Sequence, residues 1–149
     1  MKVINNFSLT IPSKSNNEGF ARAAVAAFVT QLDPTIEEIN DIKTAVSEAV
    51  TNCIVHAYKD SIGKIYITAQ LFADNTVCIK IKDKGCGIED VGQAMEPLFT
   101  TGGSERAGLG FAVMQSFMDG MRVTSKVNKG TTVTLKKQIS IRVKADGRA

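Results

Sequence analysis

The stretch Glu48–Tyr58, EAVTNCIVHAY, sets a carboxylate and a carboxamide four residues apart inside a helical apolar pattern. On an α-helix such residues stack on one face, so Glu48 and Asn52 point the same way. Ile39, Ile42, Val46, Ala49 and Cys53 recur at helical spacing as the stripe to be buried, with Glu48 and Asn52 at its rim. A carboxylate at such a rim can take a proton from a hydroxyl or a water, and an amide oxygen one turn on can hold a Mg²⁺ ion. The same pattern by itself also describes an ordinary exposed face.

Around this stretch, the 149 residues suit a single domain spanning 1–149, large enough to bury roughly two-thirds of its surface without disulfides or metals. The composition, 44% apolar and 22% charged, is that of a soluble globular chain. The longest apolar run, Ala23–Val29, is too short to cross a bilayer, and MKVINNFSLT has no signal-peptide core. The expectation is a cytoplasmic protein that meets no membrane. Cys53, Cys78 and Cys86 are odd in number and lack CxxC spacing, which argues for reduced thiols, Cys53 and Cys78 serving as small hydrophobes. The net charge is +3, and from Arg122 onward eight Lys or Arg face one acid, Asp146. These cations interleave with strand-forming residues and not with exposed aromatics, so a solvated face is favoured over direct nucleic acid binding.

In chain order, Phe7–Ile11 alternates and ends at Pro12, as a first strand does. A helix is expected over Asn16–Leu32 behind Asn and Ser caps, with Phe20, Ala24, Ala27, Phe28 and Gln31 as its stripe. Arg22 lies off that stripe, either a solvated charge or a contact for a partner protein. Asp33-Pro34 has the form of an N-cap followed by Pro at the first helical position, predicting a second helix from Pro34 to about Tyr58. Strands Lys64–Phe72 and Thr76–Asp83 flank the turn Ala73-Asp74-Asn75. In the second of them Val77, Ile79, Ile81 and Asp83 share a face, so a carboxylate continues the core series and requires hydrogen-bond donors. A short helix around Asp90–Met95, an irregular glycine-containing loop, a helix over Leu109–Met118, and strands Met121–Val127 and Thr131–Gln138 complete the order; residues from about 140 form a frayed end. This predicts an α/β sandwich with one mixed, mostly antiparallel sheet and its helices on one face.

Asp83-x-Gly85-x-Gly87 closes a strand with a turn that lets backbone approach a ligand, and a carboxylate there suits the exocyclic amine of adenine or serves only a turn. Gly108-Leu109-Gly110 opens a helix, whose free N–H groups can meet phosphate. Gly103 and Gly108 have P-loop spacing, but Leu109 stands where the lysine belongs. No dinucleotide βαβ unit and no protein-kinase signature is present. His56 extends the Glu48 row; without a second His or a cysteine pair, a helix-end structural role is favoured over a ligand role. Gly130-Thr131-Thr132 starts the last strand with hydroxyls that can meet a base or satisfy a turn.

Taken in order, E-x-x-x-N on a helix, D-x-G-x-G at a strand end, a flexible loop, G-x-G at a helix start and G-T before a strand resemble the GHKL (Bergerat) ATP-binding fold. Within it, FARAAVAAFV, QLDPT, EAVTN, PLFTT and VNKGTTV are similar to the small serine kinases that act as anti-sigma factors in endospore-forming bacteria. The resemblance implies binding of Mg·ATP or ADP, phosphorylation of a serine on an anti-anti-sigma protein, and sequestration of a sporulation sigma factor from RNA polymerase by a homodimer. It implies Glu48 as general base, Asn52 as Mg²⁺ ligand and Asp83 at the adenine amine, with Gly85, Gly87 and Thr131 close to the base. Gly108, Leu109 and Gly110 would donate to the phosphates, Thr100–Ala107 would form a lid carrying Thr101 and Arg106, and Arg22 would face protein partners. Two alternatives stand beside this: an ATP-gated binding module without transfer, and a stress-response switch-protein kinase of the same fold.

Overall fold

The computed structural model describes residues 2–95 and 105–141, with side chains in the last segment from residue 110 onward. The expected lid residues Thr100 and Thr101, the side chains of Arg106 and Leu109, and the tail beyond 141 lie outside them.

Strand β1 (Val3–Pro12) leads to helix α1 (Asn17–Val29), which tightens into a 3₁₀ turn over Thr30–Leu32. Asn16 makes no capping bond, and the buried stripe is Ala21, Val25 and Val29, a phase one residue on from the expected Ala24 and Phe28. The reason is size: Ala and Val let α1 lie close on its neighbour. Phe20 is exposed, and Phe28 packs edge-on against Phe7 of β1, centroids 4.7 Å apart.

Helix α2 spans Ile36–Asn52. Its cap is Thr35 and not Asp33: the Thr35 hydroxyl accepts from Glu38 N at 3.0 Å, while the Glu38 carboxylate accepts from Thr35 N at 2.8 Å. Asp33 instead turns the chain with φ +53°. After Asn52 the coil widens into a π turn, Cys53–Ala57, where the expected helix ran straight on.

Strands β2 (Lys64–Phe72), β3 (Thr76–Asp83), β4 (Gly120–Lys126) and β5 (Gly130–Gln138) join β1 in the order β1-β2-β3-β5-β4. Every neighbouring pair is antiparallel, so the sheet is antiparallel throughout and not mixed. Short helix α3 (Val91–Ala94) and helix α4 (Glu105–Phe117) lie between β3 and β4. Alternation turns Ile65, Ile67, Ile79, Ile81, Val133 and Leu135 toward the helices, and α2 lies between α1 and α4 over that face.

Lys80, Lys82, Arg122 and Lys136 are exposed and form a basic face. Lys137 departs from it: this buried ammonium donates to Phe117 O at 2.7 Å and pairs with Asp41 at 3.4 Å, tying β5 to α4 and α2. Among the described residues no helix is long and apolar enough to cross a membrane.

Candidate functional site

The last turn of α2 brings Asn52 to the edge of a cavity of about 780 Å³ between α2, β3, β5 and the α3 loop. Glu48 stands one helical turn back from it. Both polar side-chain atoms of Asn52 are buried and find no hydrogen-bond partner among the described residues. Leaving a buried amide unsatisfied costs about 1–3 kcal/mol, so the arrangement is one that a ligand completes. Gly110 of α4 stands over the pair. A β-carbon there would come within 3.1 Å of Glu48 Oε2 and 3.4 Å of Asn52, so glycine keeps the space in front of both open.

The π turn joins this helix to the loop after β3. Tyr58 N reaches back to Cys53 O at 3.1 Å, and the widened coil presents Ala57 O to Cys86 N, also at 3.1 Å. Tyr58 continues the seam, accepting from Lys84 N and donating to Lys64 O, each at 2.7 Å. His56 lines the cavity from this turn.

At the opposite wall Asp83 is 5% exposed. Its Oδ1 accepts from Gly85 N at 2.9 Å and Thr131 N at 3.2 Å, and its Oδ2 accepts from the Cys53 thiol at 3.5 Å. These are the donors the buried carboxylate required, and Cys53 is one of them and not merely a small hydrophobe. Burial raises the Asp83 pKa above the usual carboxylate value, with the backbone and thiol donors opposing that shift. Burial and the adjacent carboxylate push the Cys53 thiol well up, so it stays protonated as a donor.

The glycines here make room chiefly for the chain itself. A β-carbon on Gly85 would sit 2.3 Å from Ala57 O, one on Gly87 2.2 Å from Lys126 O, and one on Gly130 2.1 Å from Asp83 O. Gly87 and Gly130 also have φ of +75° and +117°. Gly87 and Thr131 line the cavity; Gly85, expected near the base, does not.

Glu48 does not line that cavity; it lines a second hollow of about 430 Å³, with Arg22, Asn40, Lys43, Thr44 and Ser47. Arg22 pairs with Glu18 at 3.5 Å, and Glu18 also accepts from Ser47. The fold thus brings Arg22 into the same hollow as Glu48.

Helix α4 corrects one boundary. It begins at Glu105 and not at Leu109, so Leu109 and Gly110 lie beyond the first turn, where backbone N–H groups are spent on the helix ladder. Sequence reasoning also passed over Ser125. Its hydroxyl donates to Gly130 O at 3.0 Å, accepts from Ile88 N at 2.8 Å and lies 2.7 Å from Thr131 Oγ1. With the Ser125 proton committed to Gly130, Thr131 is the donor of that pair, and its remaining lone pairs are those of an acceptor.

Among the described residues no three His, Cys, Asp or Glu gather to hold a metal. The open Asn52 amide fits a cation that takes one protein oxygen and fills its other positions with a ligand's phosphates and water, since Mg²⁺ keeps several waters and needs few protein ligands.

The profile of the histidine kinase-like ATPase domain matches residues 11–137. An anti-sigma F factor of Caldanaerobacter subterraneus is 59% identical over 93% of this chain and 97% of its own length. One of Clostridium beijerinckii is 54% identical over 92% and 96%. Among solved structures, the RsbU and RsbW domains of Rv1364c from Mycobacterium tuberculosis share the fold at TM-score 0.68 and 22% identity, covering 91% of this chain and 32% of that one. ShkA, solved in complex with AMPPNP, shares it at TM-score 0.57 and 16% identity, covering 89% of this chain and 32% of that one. Matched over nearly its whole length by relatives of this kind, the chain belongs to the anti-sigma F factor family, built on the histidine kinase-like ATPase domain.

Proposed function

We propose that the protein is a protein-serine kinase that uses Mg·ATP, phosphorylates a serine of an anti-anti-sigma protein, and as a cytoplasmic homodimer withholds a sporulation sigma factor from RNA polymerase. The observation that carries the catalytic part is the place of Glu48, which lines the smaller of two hollows and shares with Asn52, at the wall of the larger, the space that Gly110 leaves open. The larger, with Asn52 and Asp83 at its walls, suits a nucleotide; the smaller, with Arg22 and Lys43, suits an acceptor segment.

In this arrangement Asp83 accepts the adenine amine, with Thr131 and Gly87 against the base. Asn52 supplies the amide oxygen that the cation needs, and the cation when bound would neutralise charge on the phosphates. Glu48 takes the proton of the incoming serine hydroxyl, held by the rigid body of α2 at the height of the phosphates. Gly110 leaves the reacting groups space. For Gly108, Leu109 and Gly110 to donate to phosphates, α4 must begin later than Glu105 when nucleotide is bound. Phosphoryl transfer asks mainly for positioning and charge stabilisation, and a carboxylate and an amide one turn apart on a packed helix provide the positioning.

The test is incubation with Mg·ATP labelled at the γ-phosphate and a candidate anti-anti-sigma protein, scored for phosphoserine, beside capture of a sigma factor under the same nucleotide. Labelled serine that disappears in Glu48→Ala supports the kinase. Sigma-factor capture without phosphoserine would establish an ATP-gated binding module instead, and phosphoserine without capture a switch-protein kinase.

A further inference from the structure

We propose that Cys53 is a positioning residue for purine recognition, its thiol fixing the outer oxygen of Asp83 so that one lone pair is left for the amine of the base. The inference rests on the assignment of Asp83 to that amine and goes one residue further.

The geometry is a matter of counting acceptor sites. An ionised carboxylate offers about four lone-pair directions. On Asp83 two are taken at Oδ1, by the backbone N–H groups of Gly85 and Thr131, and one at Oδ2, by the thiol 3.5 Å away. What remains is a single site on Oδ2, and Asp83 and Cys53 both line the cavity. The backbone donors hold only Oδ1. The two oxygens turn together about the Cβ–Cγ bond, so the thiol holds the carboxylate plane from the side opposite the Oδ1 donors. Without it the plane is held from one side only, and Oδ2 has two open lone pairs that could meet the base in more than one way.

Cys53 is itself buried, at the junction where α2 opens into its π turn, so the donor is mounted on the packed helix that carries Asn52. The raised thiol pKa is consistent with a group that donates and does not ionise. Its role is thus distinct from that of exposed Cys86, whose thiol donates to the backbone carbonyls of His56 and Gly87.

The experiment is calorimetric titration of the full chain, as wild type, Cys53→Ala and Cys53→Ser, with Mg·ATP and with the Mg complex of purine riboside triphosphate, which lacks the 6-amine. Wild type should prefer ATP. Cys53→Ala should weaken ATP by about 5-fold to 10-fold, the scale of one ordinary hydrogen bond, as suits a weak thiol donor, and change the analogue less than about 2-fold. Cys53→Ser, which keeps a donor, should recover most of the preference. A residue that only fills space would weaken both ligands alike, so equal losses in Cys53→Ala, or an undiminished preference for ATP, would overturn the proposal while leaving Asp83 in its role. A wild-type chain that binds both ligands equally would overturn the amine assignment itself and this proposal with it.

Discussion

The two ends of the cavity differ in how completely the chain satisfies its own polar groups. At the Asp83 end each carboxylate oxygen has a protein donor: Oδ1 has two backbone N–H groups, Oδ2 has the Cys53 thiol, and Ser125 ties the Ile88 loop to Thr131. Three glycines allow backbone-to-backbone approach around it. At the Asn52 end the amide is buried with no described partner, and Gly110 keeps the adjoining space empty. One end is nearly finished by folding, with a single acceptor site left on Oδ2, and the other leaves a whole amide without a described partner. A site that must grip a planar base in one orientation gains from a rigid wall, whereas phosphates and a hydrated cation need groups free to be recruited.

The sharpest break between the ends should come from Glu48→Ala. Phosphoserine formation should fall on the order of 10³-fold, the scale of a lost general base. Calorimetric ATP affinity should stay within about 3-fold, since the carboxylate acts on the acceptor and not on nucleotide. Unchanged transfer would remove Glu48 from the mechanism.

Asp83→Asn comes next, because an amide mismatched to three donors spoils both wall and ligand contact. ATP affinity should drop on the order of 10²-fold and preference over GTP should collapse. Preserved selectivity in a competition titration would place base recognition elsewhere.

Asn52→Leu should separate function from folding most plainly. Mg²⁺-dependent ATP affinity should fall about 10-fold or more. The empty protein should gain about 1 kcal/mol in denaturant unfolding, because a buried unsatisfied amide is replaced by an apolar group of similar volume. Loss of stability in the empty protein would mean that the amide already has partners.

The smallest effect is pH dependence at the finished end. Folding raises the pKa of Asp83, so its contribution to stability is full below the unfolded-state pKa and is lost as pH rises through the folded value. Its ligand contact has the opposite sign, for only the carboxylate can accept from an amine without offering a proton. ATP affinity should therefore fall as pH drops through that raised value, an acid limb that calorimetry should find missing in Asp83→Asn.

Much of this molecule was legible where the signal is local. Strict alternation located β2 and β3 at the residues observed, and it put Asp83 on the core side. The 3.6-residue period put Glu48 and Asn52 on one edge of α2. What failed did so for identifiable reasons. Asp33-Pro34 imitates a helix start, but the reciprocal bonds of Thr35 and Glu38 fix the true one two residues on. The apolar period runs on through His56, so nothing local announced that the coil widens at Cys53. Glycines near Leu109 suggested a helix start that lies at Glu105.

By itself the sequence determined which chemical groups stand on which local element, because i,i+4 and i,i+2 spacing are properties of a short stretch of backbone. The tertiary structure decided which of those groups are satisfied and which are left open. Two of the three partners of Asp83 come from 30 and 48 residues away, and Ser125 and Arg22 acquire their neighbours only when helices and strands pack. Hydrogen bonds act over about 3 Å in space whatever their separation along the chain. The carboxylate at the end of β3 and the amide of Asn52 could be seen in the sequence, but that a thiol holds the first and that the second is left without a described partner could not.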